Sequence, residues 1–260
     1  MLEMDEAALR RQAEAALLGL KSAGIDWLPQ GPRLARRAAV PSSAATSLAA
    51  ETLMPPNSLN ARRKELEVLA AEVKACTRCP ELAVARTQTV FGDGQPGAEI
   101  CFLGEAPGAD EDASGTPFVG AAGQLLNKII AASGFKREEV YICNILKCRP
   151  PANRTPLPHE AENCSGFLKR QLDIVKPKYL VCLGGTAAKY LLNSTRPLGE
   201  LRGQFHEYHG IPVIVTYHPA YLLPHRQPAK KKEVWDDMKM LLTKMGRPIP
   251  QQKTEEKPAG

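Results

Sequence analysis

Four short apolar runs, Glu99–Leu103, Val140–Ile145, Tyr179–Leu183 and Val213–Thr216, are spaced widely along the middle of the chain. Each is too short for a stable helix and has almost no polar position facing water. That pattern predicts strands buried on both faces of a sheet. Around them the apolar period changes to that of a helix. Leu125, Leu126, Ile129 and Ile130 share one side of a stretch ending at Gly134, and helical patterns recur over Glu160–Val175, Thr186–Leu192 and Lys230–Lys244. Strands separated by helices predict an α/β fold, a three-layer α/β/α domain with a mainly parallel four-stranded central sheet. A further helix is predicted from Ala61 to Lys74, with Leu66, Leu69, Ala70 and Val73 on one face, delivering the chain to Cys76.

The ends read differently. Glu6–Leu20 is rich in Ala and Leu at helical spacing, whereas Gly31–Asn57 is Ala/Pro/Ser/Thr-rich without a sustained period and reads as linker. Arg247–Gly260 carries three prolines among polar residues and predicts a disordered tail. The expected organisation is therefore a disordered or partly helical extension over 1–57, a folded domain over 58–246 and a tail over 247–260. The N-terminal helix is either a frayed tail or a docking element for a protein partner, with Trp27 and Leu28 as anchors.

Composition narrows the class. The 260 residues allow one large domain or two small ones, and no apolar run is long enough to span a membrane. The acidic start, Met1 to Glu6, lacks the basic opening of a signal peptide. A cytoplasmic, nucleoid-associated monomer is expected. The net charge of +6 and pI near 8.9 permit a nucleic-acid partner without requiring one.

The chemistry-bearing residues cluster by topology. Gly104-Glu105-Ala106-Pro107-Gly108, Asn144, Gly184-Gly185-Thr186 and His218-Pro219 each fall at or just past the C-terminal end of a predicted strand, the edge where open parallel sheets bind ligands. Taken singly, each has a plain structural reading: a tight turn, a backbone bridge, a helix start, a loop histidine. Four of the seven cysteines form a second pattern. Cys76 and Cys79 are a two-residue chelate, and Cys148 and Cys164 lie downstream with fifteen residues between them. A fold that unites the pairs makes a thiolate-bound metal or iron–sulfur centre; otherwise the four are unrelated thiols. Cys101, Cys143 and Cys182 sit inside the apolar runs and are expected to be buried strand residues.

In this order the motifs resemble the uracil-DNA glycosylase superfamily, most closely its family 4, the iron–sulfur members. The matching segments run from Gly104 to Asp112, Pro117 to Gly120, Asn144 to Pro151 and Tyr217 to Leu223. The resemblance covers about Ala61 to Met245. It implies excision of uracil from DNA at the start of base-excision repair, with Asn144 reading the base edge, Phe118 stacking on it, and Glu111 closing the pocket against a 5-methyl group. His218 would bind the leaving uracil oxygen. Ala106 stands where better-known members carry an Asp, which leaves Glu105 as the nearest carboxylate to orient water. Gly185, Thr186, Tyr221, Leu222 and Arg226 are expected to touch DNA, Leu222 within an apolar wedge. Cys76, Cys79, Cys148 and Cys164 occupy the ligand positions of a structural [4Fe-4S] cluster, with zinc as the competing occupant. Two alternatives remain at this stage: a catalytically silent iron–sulfur nucleic-acid-binding protein, and a sister enzyme that traps the abasic sugar covalently. The latter needs a basic run ending in a nucleophilic His, and His159 follows Thr155-Pro156-Leu157-Pro158 instead.

Overall fold

A computed structural model describes residues 58–251. The predicted helix over Glu6–Leu20, the linker from Gly31 to Asn57, the Trp27–Leu28 element and the last nine residues lie outside them. Helix α1 (Leu59–Lys74) begins where Ser58 Oγ accepts the backbone N–H of Ala61 at 3.1 Å, and it buries Leu66, Leu69 and Val73. It is followed by the short helix α2 (Pro80–Ala85), opened by a proline whose missing N–H costs nothing at that position.

The sheet has six strands rather than the four expected. Strands β2 (Ile100–Gly104), β3 (Tyr141–Asn144), β4 (Tyr179–Leu183) and β6 (Ile211–Thr216) are the predicted parallel core. Two antiparallel edges extend it, β1 (Asp93–Gly94) and β5 (Phe205–Tyr208), in the order β1-β3-β2-β4-β6-β5. The edges escaped prediction because β1 is two residues long and β5 is only partly buried, so neither shows an apolar run.

Period-two alternation sorts the strand residues onto two cores. Cys101, Leu103, Tyr141, Cys143, Leu180, Cys182, Val213 and Val215 face one side, with Leu66 of α1, Leu168 and Leu172 of α5 (Pro158–Val175), and Leu191 of α6 (Gly185–Leu192). Ile100, Phe102, Ile142, Val181 and Ile214 face the other, against Leu126 and Ile130 of α4 (Ala121–Ala132) and Met238 and Leu241 of α8 (Lys231–Lys244). The remaining helices, α3 (Ala109–Ser114) and α7 (Leu198–Leu201), are short. The layers are thus α/β/α, and Cys101, Cys143 and Cys182 are buried strand residues. No helix among the described residues is long and apolar enough to cross a membrane.

Register brings the strand ends level. Gly104 pairs with Asn144 across β2 and β3, and Leu183 with Thr216 across β4 and β6. The chain leaves β2 toward one face and β4 toward the other, so the crevice between them is the topological switch point of the sheet. Past α8, Gly246 adopts φ 68° and Arg247 pairs with Glu99 at 2.8 Å, its guanidinium lying over the Phe135 ring.

Candidate active site

A cavity of about 460 Å³ opens at this edge, lined by Glu105, Ala106, Glu111, Phe118, Asn144, His218, Tyr221 and Arg226 among others. Asn144 ends β3 and is 2% exposed, and its side-chain Oδ1 has no hydrogen-bond partner. An unsatisfied buried acceptor costs roughly 1–3 kcal/mol, so it marks a place where a ligand N–H completes the structure. Gly104 makes the arrangement possible. A Cβ there would stand 2.3 Å from Asn144 Oδ1 and 2.5 Å from Phe118 Cζ, so only glycine lets the two side chains meet over the strand end.

Phe118 sits at φ 54°, an unfavourable backbone conformation for a bulky residue, and its loop is held from three sides. Arg137 donates to Pro117 O at 2.6 Å and to Phe118 O at 3.2 Å, and Gly123 admits the Phe118 carbonyl where a Cβ would clash at 1.9 Å. The Glu111 carboxylate accepts the backbone N–H groups of Gly108, Val119 and Gly120, each at 3.0 Å. Glu111 therefore lines the pocket wall, with its charge committed to tying the loops on either side of Phe118 together.

His218 faces Phe118 with ring centroids 5.5 Å apart. Its Nδ1 accepts the N–H of Ala220 at 3.2 Å, which leaves the ring proton of the neutral imidazole on Nε2. Burial brings its pKa down to about 4, with Glu111 pulling upward and Arg226 adding to the depression. The imidazole is therefore neutral across the physiological range and donates through Nε2. Gly184, at φ 97°, approaches His218 so closely that an added Cβ would lie 3.1 Å from the histidine Cβ.

Behind His218 is a brace that the sequence did not reveal. Asp237, 2% exposed, accepts from Thr216 Oγ1 at 2.6 Å and from Arg202 Nη2 at 2.8 Å, while Tyr217 donates to Glu233 at 3.1 Å. Arg202 also pairs with Glu233 and covers the Tyr217 ring. The two residues preceding His218 are thereby fixed to α8 and to Arg202, just past α7. No local motif signals this, because its members lie up to 35 residues apart.

Glu105 follows β2 at the crevice. Burial pushes its carboxyl above the usual range, and a hydrogen bond from Thr186 opposes the shift. Ala106 lines the same wall without a polar group. Of the residues expected at DNA, Gly185 and Thr186 form the first turn of α6, although the Thr186 side chain turns inward to Glu105. Tyr221 is exposed and stacks on Tyr217 at 5.3 Å, and Arg226 is exposed at the pocket rim. Leu222 corrects the wedge expectation. It is 0% exposed and borders a small cleft with residues of α4 and α8, so its side chain packs inward, while Leu223 is partly exposed.

The cysteines come together as well. Cys76, Cys79, Cys148 and Cys164, from the α1–α2 turn, the loop after β3 and α5, line one small cavity of about 20 Å³ beside Arg86, Lys147 and Asn163. Arg86 donates to Cys148 Sγ at 2.9 Å and to Cys76 O at 2.9 Å, and Asn163 reaches Cys79 Sγ at 3.5 Å. Burial pushes the Cys164 thiol up to about 11. Among the described residues no three His, Cys, Asp or Glu side chains form a group placed to hold a metal ion.

Residues 91–239 match the family described as the uracil DNA glycosylase superfamily. The chain is 42% identical over 179 residues to the type-4 uracil-DNA glycosylase of Thermotoga maritima, covering 68% of this chain and 93% of that protein. It is 40% identical over 195 residues to the type-4 uracil-DNA glycosylase of Archaeoglobus fulgidus, covering 72% and 96%. A type-5 uracil-DNA glycosylase of Pyrobaculum aerophilum is more distant, 28% identical over 179 residues and covering 56% and 79%.

Proposed function

The chain belongs to the uracil DNA glycosylase superfamily, and from that premise we propose how its pocket releases uracil from DNA. It is a uracil-DNA glycosylase, a hydrolase of N-glycosyl bonds serving base-excision repair. The observation that carries the mechanism is the buried, unpartnered Oδ1 of Asn144. The target nucleotide leaves the base stack and enters the cavity, since its glycosidic bond is out of reach inside a duplex. Asn144 Oδ1 accepts the uracil N3–H and its amide N–H donates to O4, while Phe118 stacks on the base. Cytosine presents the opposite pattern at those two atoms and would leave buried groups unpaired.

As the bond between the sugar C1′ and base N1 breaks, its electron pair passes to the uracil and charge gathers at O2. His218 donates its Nε2 proton in a hydrogen bond to that oxygen, a fixed dipole aimed where charge develops. Water adds to C1′ and its proton goes to the Glu105 carboxylate or to solvent. Glu105 takes the water-orienting role because Ala106 offers no polar atom. Gly185, Thr186, Tyr221 and Arg226 contact the DNA strand, and the catalytic unit spans residues 58–246. Release of free uracil from a U·G duplex by the purified protein tests the reading, and an intact strand after alkali treatment would refute it.

The neutral state of His218 gives a pH expectation. The acid limb of the single-turnover rate set by this residue lies near pH 4, well below the 6.5 of an ordinary histidine. Between those values the unfolded chain binds more protons than the native one, so this group makes the fold less stable as pH falls from 6.5 toward 4. A pH–rate profile with a break near 6.5 would contradict a neutral donor.

Cys76, Cys79, Cys148 and Cys164 hold a [4Fe-4S] cluster on this reading. What supports it is one cavity lined by all four cysteines, with N–H donors to Cys148 and Cys79. The cluster supplies a cross-link between the α1–α2 turn, the β3 loop and α5, and the reacting bond lies in the other cavity. Cys164→Ser is expected to lose iron and to lower the yield of soluble protein, because ligand binding and folding are coupled. Iron and sulfide assays on the anaerobically purified protein check this and distinguish the cluster from zinc.

A further inference from the structure

Lys147 is the only buried lysine among the described residues, with 1% of its surface exposed. Its Nζ donates to Asn144 O at 2.9 Å and to Gln171 Oε1 at 2.6 Å, and it lies 5.9 Å from the Phe91 ring centroid. Gln171 is fixed in turn by donating to Phe91 O at 3.0 Å and Tyr141 Oη at 2.8 Å. All of these partners are neutral, and among the described residues no carboxylate pairs with the lysine. An amine buried this deeply and bonded only to neutral partners is a place where a neighbouring negative group would be strongly stabilising.

The supply lies on its other side. Lys147 lines the cysteine cavity, and its backbone N–H bonds to Cys164. Four thiolates around a [4Fe-4S] core carry net negative charge. We infer that Lys147 is the built-in counter-ion of that cluster and, through the same ammonium, the positioning residue for Asn144, so that one buried charge serves the cysteine centre and the base pocket together. This rests on the reading of the four cysteines as cluster ligands. It explains why the lysine sits between Asn144, three residues earlier, and Cys148, next in the chain.

The test compares purified wild-type holoprotein with Lys147→Met and Gln171→Glu. The second variant keeps the lysine and sets a carboxylate against it, withdrawing its charge from the cluster. Iron and sulfide content, the cluster midpoint potential by voltammetry and steady-state uracil release are measured on each. Removing a nearby positive charge makes adding an electron harder, so both variants should show a midpoint more negative than wild type. Lys147→Met should also hold its iron roughly tenfold less tightly in competition with a chelator, the lower end of the range for outer-sphere changes. Its KM for uracil-containing DNA should rise as Asn144 loosens. If Lys147→Met does not fold, the potential of Gln171→Glu decides. Iron-replete variants whose midpoints equal that of wild type overturn the counter-ion role alone. A wild-type protein without iron or sulfide overturns the cluster reading and this inference with it.

Discussion

Replacing His218 with alanine is expected to slow single-turnover uracil release by about two to three orders of magnitude, roughly 2.7–4 kcal/mol of transition-state stabilisation. Binding of uracil-containing DNA should change far less. The separation follows from the geometry. His218 holds its Nδ1 on the Ala220 N–H and stays neutral, so it has one proton to offer, on Nε2. In the bound substrate that proton meets a weakly charged carbonyl, and in the transition state it meets an oxygen carrying most of the departing charge. A loss realised only as charge develops appears in the chemical step rather than in KM. The brace of Thr216, Tyr217, Arg202 and Asp237 holds the preceding backbone independently of the imidazole, so the variant should remain folded. Rapid-quench measurement of single turnovers provides the check, and a rate close to wild type would remove His218 from the mechanism.

Asn144→Asp is expected to cut uracil release by about two orders of magnitude and to narrow the preference for uracil over cytosine, because a buried mismatch of donors and acceptors is penalised heavily. The substitution changes one atom. The amide N–H that donated to uracil O4 becomes an acceptor and faces that oxygen with like polarity. The same acceptor matches the cytosine amino group. The side chain is 2% exposed, so water cannot compensate. Release of both bases from matched U·G and C·G duplexes reports the ratio. A variant that discriminates as sharply as wild type would show that Asn144 does not read the base.

The four central strands were legible because each is buried on both faces and so appears as an uninterrupted apolar run, and their order along the chain implied the parallel core. The polar residues at their ends were legible for the same reason: in a parallel sheet all these ends point one way, so residues distant in sequence were predicted to share one edge. Glu105, Asn144 and His218 do line one cavity. The cysteine spacing named the four that line the second cavity and set apart the three that fill the strands.

What only the tertiary structure decided depends on side chains from separate segments meeting. The edge strands β1 and β5 exist because neighbours offer free backbone, which no residue in them announces. Leu222 sits in an apolar wedge by sequence, yet α4 and α8 leave room for it inside, and burial stabilises it more than exposure would. Glu111 reads as a pocket residue, but three backbone N–H groups converge on its carboxylate. Lys147 looks like any surface lysine in a basic loop, and its burial beside the cysteine cavity becomes visible only when α5 brings Gln171 and Cys164 against it. Composition and period thus determined the layers and the edge that carries the chemistry. Packing between distant segments decided which polar groups at that edge are held, neutralised or left open for a ligand.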